Sequence, residues 1–314
     1  MSEANVINGP PVCLVTVLYN SEPNIASFIA GLSEQDYRNW RLIAIDNAST
    51  DASVSELARV SDSRISIVRN SSNRGFARAA NQGLRAAVTE GAEFMVLINS
   101  DTQIPVNFLS LFLSMRNELE ADVLVPRIML LDRPDEAWYA GGHLDYGWVF
   151  KNVHEPYDIN EKRRVRTVDF ASGCCLGLSK KVLSSVGLFD ESFFVYWEDT
   201  DYCIRLREAQ IPIYYVNDVF LMHEGGHASG GEHTVSYNKI FWRSYIQIIR
   251  KHFGIVVTLR TMVRLSLKEL GRPNQQTRLL ATMMLAMMKG LLTPLLPPAE
   301  MEVAAGFNSA SDTK

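Results

Sequence analysis

The sequence predicts an α/β fold built on a mostly parallel sheet. Three observations carry the prediction. Short apolar runs rich in β-branched residues recur through the first hundred residues. Segments with helical spacing separate them, and each run ends in a polar, turn-forming cluster.

Val12 to Leu18 (VCLVTVL) reads as a buried strand that ends in the turn YNSEPN. Pro23 has no N–H to lose in a first helical turn, so a helix over Asn24 to Ser33 follows. Trp40 to Ile45 is the second strand and runs directly into DNASTD, where Ser49 or Thr50 can cap a helix from Asp51 to Val60. Arg64 to Val68 is the third strand, followed by NSSNRGF and a helix from Phe76 to Thr89. Glu93 to Ile98 is the fourth and ends in NSDT. In parallel α/β sheets the ligand site lies beyond the carboxyl ends of the strands, which is where YNSE, DNASTD and NSDT fall.

A helix follows Pro105, then a strand from Val123 to Pro126. Arg127 to Arg166, aromatic and glycine-rich, reads as a hairpin or long loop over the site. Val168 to Leu178 reads as one strand with a glycine break, and Ile211 to Val216 as a further strand before the loop HEGGHASGGEH. Tyr237 to Phe253 has helical spacing, with aromatic and basic residues interleaved. Leu279 to Leu296 is strongly apolar, but Lys289, Gly290 and Pro294 interrupt it, so it reads as an in-plane or core helix rather than a span. Contact with a membrane surface, with the protein body and with another subunit all remain open for it. The expected organisation is a catalytic domain over 10–233, with halves 10–126 and 127–233, then a helical region over 234–300 and a disordered tail over 301–314.

The chain has 314 residues, 47% of them hydrophobic, enough to bury a sizeable core. Its net charge of -4 supplies no basic field for nucleic acid, which is excluded as a partner. Cys13, Cys174, Cys175 and Cys203 form no CxxC, and the N-terminus lacks a signal-peptide pattern, so a cytoplasmic location is expected.

Four constellations carry candidate chemistry. In NSDT, Asp101 at the end of a buried strand can hold a Mg²⁺ or Mn²⁺ ion against a diphosphate, or simply cap a helix. In DNASTD, Asp46 can accept hydrogen bonds from a base or a ribose; a dehydrogenase is disfavoured because no GxGxxG follows the first strand. In FVYWEDTDYCIRLR, Glu198, Asp199 and Asp201 crowd together, which suits general-base work but also the N-terminus of a helix. If Asp201 begins that helix, Arg205 can pair with it and leave Glu198 or Asp199 toward the cleft. His223 ends a strand and can serve as a metal ligand, ahead of His227 and His233.

VTVLYNS, DNASTD, NRGFARAANQG, LINSDT, YWEDTDYCIRLR and LMHEGG, in that order, resemble glycosyltransferase family 2, in particular its bacterial rhamnosyltransferase-like branch. The resemblance covers Val12 to His233 and implies a GT-A fold and an inverting single displacement. It implies that Asp46 recognises the base, and that Tyr19, Asn20, Asn47, Arg74, Gly75 and Asn81 face a nucleotide-sugar donor. Asn99, Ser100 and Asp101 then occupy the family's DxD position, with Asn in place of the first Asp, Asp101 as metal ligand and His223 as a supplementary one. Asp199 matches the base, and Trp197, Glu198 and Asp201 the acceptor side. The implied donor is dTDP-rhamnose, or else a UDP-sugar. The apolar C-terminal segment would bring the protein to the inner face of the cell membrane, so the expected acceptor is a glycan or lipid-linked glycan. A nucleotidyltransferase is disfavoured because YNSEPN is no phosphate loop, and a catalytically silent scaffold because the acids are intact.

Overall fold

The computed structural model describes residues 9–147, 149–225, 234–270, 277–296 and 299–300. The first half follows the alternation: β1 (Val12–Leu18), α1 (Glu22–Ser33), β2 (Trp40–Asp46), α2 (Ser53–Arg59), β3 (Ile65–Arg69), α3 (Phe76–Thr89) and β4 (Phe94–Ile98). Next come β5 (Thr102–Gln103), α4 (Phe108–Glu118), β6 (Val123–Leu130), β7 (Ala137–Tyr139), β8 (Gly142–Asp145), β9 (Lys151–His154) and β10 (Val165–Val168). The chain continues through β11 (Cys175–Ser179), α5 (Lys180–Val186), α6 (Glu198–Glu208), β12 (Ile213–His223), α7 (Val235–Leu270) and α8 (Thr277–Leu292).

The main sheet runs β10-β12-β6-β11-β4-β1-β2-β3, with β5 on β12 and β7 on β6. β3, β2, β1 and β4 are parallel neighbours. β11 lies antiparallel between β4 and β6, so both expected halves of the catalytic domain share one sheet. The central strands are buried on both faces, which is why they read as unbroken apolar runs. On α3 the buried face is small: Ala77, Ala80, Gly83, Leu84 and Ala87. A side chain at Gly83 would collide with Val15, so the glycine lets this helix seat directly on β1.

Several expectations change. Ser49 and Thr50 do not cap α2; the helix starts after Ala52, because both residues are engaged with Asn20 of the preceding loop. β6 continues through Pro126, which sits beside a register shift on β12 where a missing N–H costs little. The stretch expected as one strand from Val168 to Leu178 is the end of β10, a loop and β11. β12 extends to His223, seven residues past the expected end. The loop stretch 127–166 contains the hairpin β8–β9.

α7 kinks at Gly254, whose φ of 78 no side-chain-bearing residue adopts readily. Before the kink, Tyr245, Ile246, Ile248 and Ile249 are buried against the body. Beyond it, Val256, Leu259, Val263 and Leu267 are exposed, as are Met284, Leu285, Met288 and Leu292 of α8. Among the described residues, no helix is long and apolar enough to cross a membrane. His227, His233 and the 301–314 tail lie outside the described residues.

Candidate active site

The loops after β1 and β2 are laced by reciprocal hydrogen bonds. Asn20, at φ 54, accepts from the Thr50 N–H (2.9 Å) and donates its own N–H to Ser49 Oγ (3.0 Å). Ser21 N–H donates to Ser53 Oγ, Glu22 N–H to Asp51, and Ala52 N–H to Glu22. Asp46 is 4% exposed at the end of β2, with one oxygen taken by the Ser49 N–H at 3.1 Å and the other without a hydrogen bond among the described residues. Tyr19 stays exposed beside it.

Asn47 organises the NRGF loop. Its amide oxygen accepts from the Arg74 N–H (3.0 Å) and from Asn70, while its nitrogen donates to Asn73 and to the Gly75 carbonyl. Gly75 has φ 85, and a side chain there would strike the Phe194 carbonyl, which also accepts from the Phe76 N–H at 2.6 Å. The NRGF loop and the acidic segment are therefore in backbone contact, a closeness that only glycine permits. Asn81 does not face the cleft. It is fully buried on α3 and its amide is spent on the Phe189 backbone and on Glu191, so it braces the approach to the acidic segment.

Asn99 donates its N–H to the Cys174 carbonyl, and Thr102 bonds back to the Asn99 carbonyl, so the NSDT turn is fixed on β11. Ser100 is buried within it. β5 pairs with the end of β12, setting His223 opposite Thr102 and bringing its Nε2 to 3.3 Å from Asp101 Oδ1. That contact is poorly directed for a hydrogen bond. Asp101 Oδ1 and His223 Nδ1 are both buried without a hydrogen-bond partner. Burial opposes protonation of His223, but Cys174 and the Asp101 carboxylate together hold its pKa above the ordinary histidine value. Among the described residues, no group of three His, Cys, Asp or Glu is gathered for a metal. Asp101 Oδ1 and His223 Nε2, 3.3 Å apart, are a carboxylate oxygen and an imidazole nitrogen, donor types that would suit a divalent ion.

The acidic segment turns into α6 through two consecutive left-handed residues, Tyr196 (φ 67) and Trp197 (φ 73). Such strain in bulky residues persists only where packing enforces it. Trp197 is buried among Phe150, Phe241 and Tyr245, so its indole supports the turn from inside rather than offering a surface to an acceptor. The three acids then diverge. Glu198 is 6% exposed, and one of its oxygens is buried without a partner. Burial first, then the neighbouring Asp199 charge, pushes its pKa up to about 8. Asp199 keeps part of its surface open. Its Oδ2 accepts from the Gly173 N–H (3.2 Å) and its Oδ1 from the Thr200 N–H (2.6 Å); burial raises its pKa against those bonds.

Asp201 is not at the cleft, contrary to the acceptor-binding expectation. It is 0% exposed and its charge is consumed internally by Arg205 (2.9 Å), Lys251 (2.7 Å) and His252 (2.8 Å). Burial opposes its ionisation, but His252, Arg205 and Lys251 hold its pKa down at about 2. The Arg205 pairing is the one its helical spacing predicts. Lys251 and His252 lie on α7, fifty residues on in the chain, and Lys251 also ties Asp190 into the cluster at 2.6 Å. Sequence reasoning missed all three. Only the interleaving of basic residues along Tyr237–Phe253 hinted at buried partners.

The glycosyl transferase family 2 model matches residues 13–187, just over half of the chain. A dTDP-rhamnosyl transferase of Shigella flexneri is 25% identical over 216 residues, covering 68% of this chain and 69% of that one. An N-acetylglucosaminyl-diphospho-decaprenol L-rhamnosyltransferase of Mycobacterium tuberculosis is 25% identical over 272 residues, 77% and 85% of the two chains. Among solved structures, GalNAc-T7 with UDP, GalNAc and Mn²⁺ superposes with a TM-score of 0.63 at 13% identity, covering 92% of this chain. The chain spans 59% of that structure's length. A mannosyltransferase from Pyrobaculum calidifontis, solved with GDP-Man and Mn²⁺, gives a TM-score of 0.55 at 13% identity, covering 90% and 86% of the two chains. The fold is GT-A, and the chain belongs to glycosyl transferase family 2, a glycosyltransferase of glycan biosynthesis.

Proposed function

We propose that the protein is an inverting, divalent-metal-dependent transferase that moves rhamnose from dTDP-rhamnose to a hydroxyl of a lipid-linked glycan. The observation that carries the base assignment is the divergence of the three acids: only Asp199 combines partial exposure with freedom from a cationic partner. Asp199 takes the proton from the acceptor hydroxyl as that oxygen bonds to the anomeric carbon and the carbon–diphosphate bond breaks. The nucleoside diphosphate leaves, the proton stays on Asp199, and attack from the opposite face inverts the centre. Asp101 and His223 are the residues that would hold a Mg²⁺ or Mn²⁺ ion, which when bound would supply charge stabilisation for the departing diphosphate. Asp46, Tyr19 and the Asn20 loop bind the nucleoside side, while Arg74 and Gly75 border the donor.

Incubating the protein with a panel of nucleotide sugars, with Mn²⁺ or Mg²⁺ and then with chelator, tests this reading. Expected is metal-dependent nucleotide release with dTDP-rhamnose, and a transferred sugar whose anomeric configuration is opposite to the donor's by NMR. Release with a UDP-sugar alone replaces the donor. A retained configuration removes the mechanism, and undiminished turnover in chelator removes the metal.

The membrane surface is the proposed site of action. Past Gly254, the exposed apolar residues Leu259, Val263 and Leu267 recur at a spacing of four, beside Arg260, Arg264 and Lys268 at the same spacing. An apolar stripe flanked by a basic one suits an anionic lipid surface. Deleting α8 is a poor test, since Met283, Ala286 and Met287 are buried and Gly290 packs on the α7 backbone. Leu285→Glu with Met288→Glu changes exposed positions only. The pair is expected to abolish cosedimentation with anionic vesicles at an unchanged melting temperature. Undiminished cosedimentation would remove α8 from the contact.

A further inference from the structure

The hairpin β8–β9 reaches the start of α6 at Thr200, the residue after the proposed base. The Asn152 amide nitrogen on β9 donates to Thr200 Oγ1 at 2.9 Å, and Thr200 Oγ1 donates to Asp199 Oδ1 at 3.2 Å. A side-chain NH₂ only donates, and a hydroxyl carries a single hydrogen. With Asn152 donating to its oxygen, the Thr200 hydroxyl has its hydrogen left for the Asp199 carboxylate. The chain of bonds therefore has one direction. Thr200 is 0% exposed, so solvent does not compete for that hydrogen. A threonine inside a helix ordinarily returns its hydroxyl to a carbonyl three or four residues back. Here those positions are Trp197 and Tyr196, the left-handed pair, and the hydroxyl turns to the base instead.

The chain treats the two oxygens of Asp199 unequally. Oδ1 accepts from the Thr200 N–H at 2.6 Å and from the Thr200 hydroxyl. Among the described residues, Oδ2 accepts from the Gly173 N–H alone, at 3.2 Å. Two donors on Oδ1 and one on Oδ2 fix the plane of the carboxylate and leave Oδ2 with spare lone-pair capacity. The charged neighbours come from two elements. Glu198 and Cys203 lie on α6 itself and feel the Asp199 charge, while the charge of Asp201 is already matched by its own partners. His154 acts from β9, two residues from Asn152 and on the same face of the strand. Burial raises the Asp199 pKa; the Gly173 and Thr200 N–H groups, the Thr200 hydroxyl and His154 act against it.

We propose that Asn152 and Thr200 are positioning residues for the base: their hydrogen-bond chain holds Asp199 Oδ1 and leaves Oδ2 as the oxygen that takes the proton of the acceptor hydroxyl. This rests on the assignment of Asp199 as the base. Asn152 acts through Thr200, and Thr200 through Asp199. The start of β9 is itself anchored, because the Tyr245 hydroxyl on α7 donates to the Phe150 carbonyl at 2.9 Å. One carboxylate is thus fixed from α6, from the loop before β11 and from the hairpin.

Carbon NMR of the full chain, labelled at its aspartate carboxyl carbons, reads the base directly and needs no acceptor. The Asp199 resonance is the one that Asp199→Asn removes. Donors to a carboxylate favour its charged form, so losing one raises the titration midpoint. Thr200→Val keeps the shape and the backbone N–H but loses the hydroxyl, and is expected to move the midpoint up by about one pH unit. Thr200→Ser keeps the hydroxyl and is expected to restore the wild-type midpoint. Asn152→Leu is expected to move it up by less, since the hydroxyl remains but no donor polarises it. Combined with Thr200→Val, Asn152→Leu is expected to add nothing further. An unmoved midpoint in Thr200→Val, an unmoved or lowered one in Asn152→Leu, or additive movement in the double variant would each overturn the chain. Should Thr200→Val fail to fold, the direction in Asn152→Leu, at a partly exposed hairpin position, decides alone. Wild-type transfer by Asp199→Asn removes the base reading itself, whereas an inactive Asp199→Asn beside unmoved midpoints removes the chain alone.

Discussion

Asp199→Asn is expected to lower kcat by about 10²–10⁴-fold, the range that positioned base catalysis supplies, while nucleotide affinity stays nearly unchanged. The split follows from the geometry. Asp199 touches the Gly173 and Thr200 backbone and none of the loops after β1 and β2, so its loss removes a proton acceptor and not a donor contact. The substitution is not wholly silent, since both Asp199 oxygens accept from N–H groups and an Asn must turn its NH₂ toward one of them. A pH profile separates that disturbance from lost chemistry. Burial raises both Glu198 and Asp199, so transfer in the wild type rises with pH as the pair loses its proton. Glu198→Gln removes one of the two interacting charges and is expected to move this acid limb to lower pH. Steady-state rates across pH for the two variants check both statements. If Asp199→Asn keeps wild-type kcat while Glu198→Gln loses it, the base is Glu198.

Much of this was legible in the sequence, for identifiable reasons. β1, β2 and β4 are buried on both faces, so their composition alone announces a parallel sheet, and α3 starts and ends where its pattern does. The polar clusters at strand ends locate the cleft because such a sheet leaves no other place for them. The roles of individual residues inside those clusters are another matter. Asn81 and Asp201 carry the residue types of a binding site, yet both are buried and internally satisfied, because their distant partners come from sequence positions 108 to 110 and 50 to 51 residues away. The same holds for His223. It was readable as a ligand candidate, but its approach to Asp101 depends on β12 running seven residues past its apolar core to meet β5. Local pattern cannot report a pairing that long-range topology creates.

The helices after the sheet form a structural part of the active site, and this leads to the second large effect. Lys251→Met is expected to destabilise the protein by about 3–5 kcal/mol, the usual cost of removing one partner from a buried ion pair. Asp190 and Asp201 are both 0% exposed and both contact the Lys251 ammonium, at 2.6 and 2.7 Å, so its loss leaves Asp190 without its cation and Asp201 with two partners in place of three. Urea denaturation at neutral pH reads this directly, and a change below about 1 kcal/mol would show that the cluster contributes geometry rather than stability. The acid side gives an independent check. In the wild type the folded-state pKa of Asp201 is depressed to about 2, so its contribution is fully present above the ordinary aspartate value and is lost as pH falls toward 2. Removing Lys251 weakens that depression, so the variant is expected to begin losing stability at a higher pH than the wild type. Activity is expected to fall with it. Before its kink, α7 holds the acidic segment at three more points: Ser244 bonds the Val195 carbonyl, Gln247 bonds Ser192, and Tyr245 packs on Trp197. The two left-handed residues that aim Asp199 are therefore enforced from a helix outside the sheet, so the geometry of the proposed base depends on packing that lies fifty residues on in the chain.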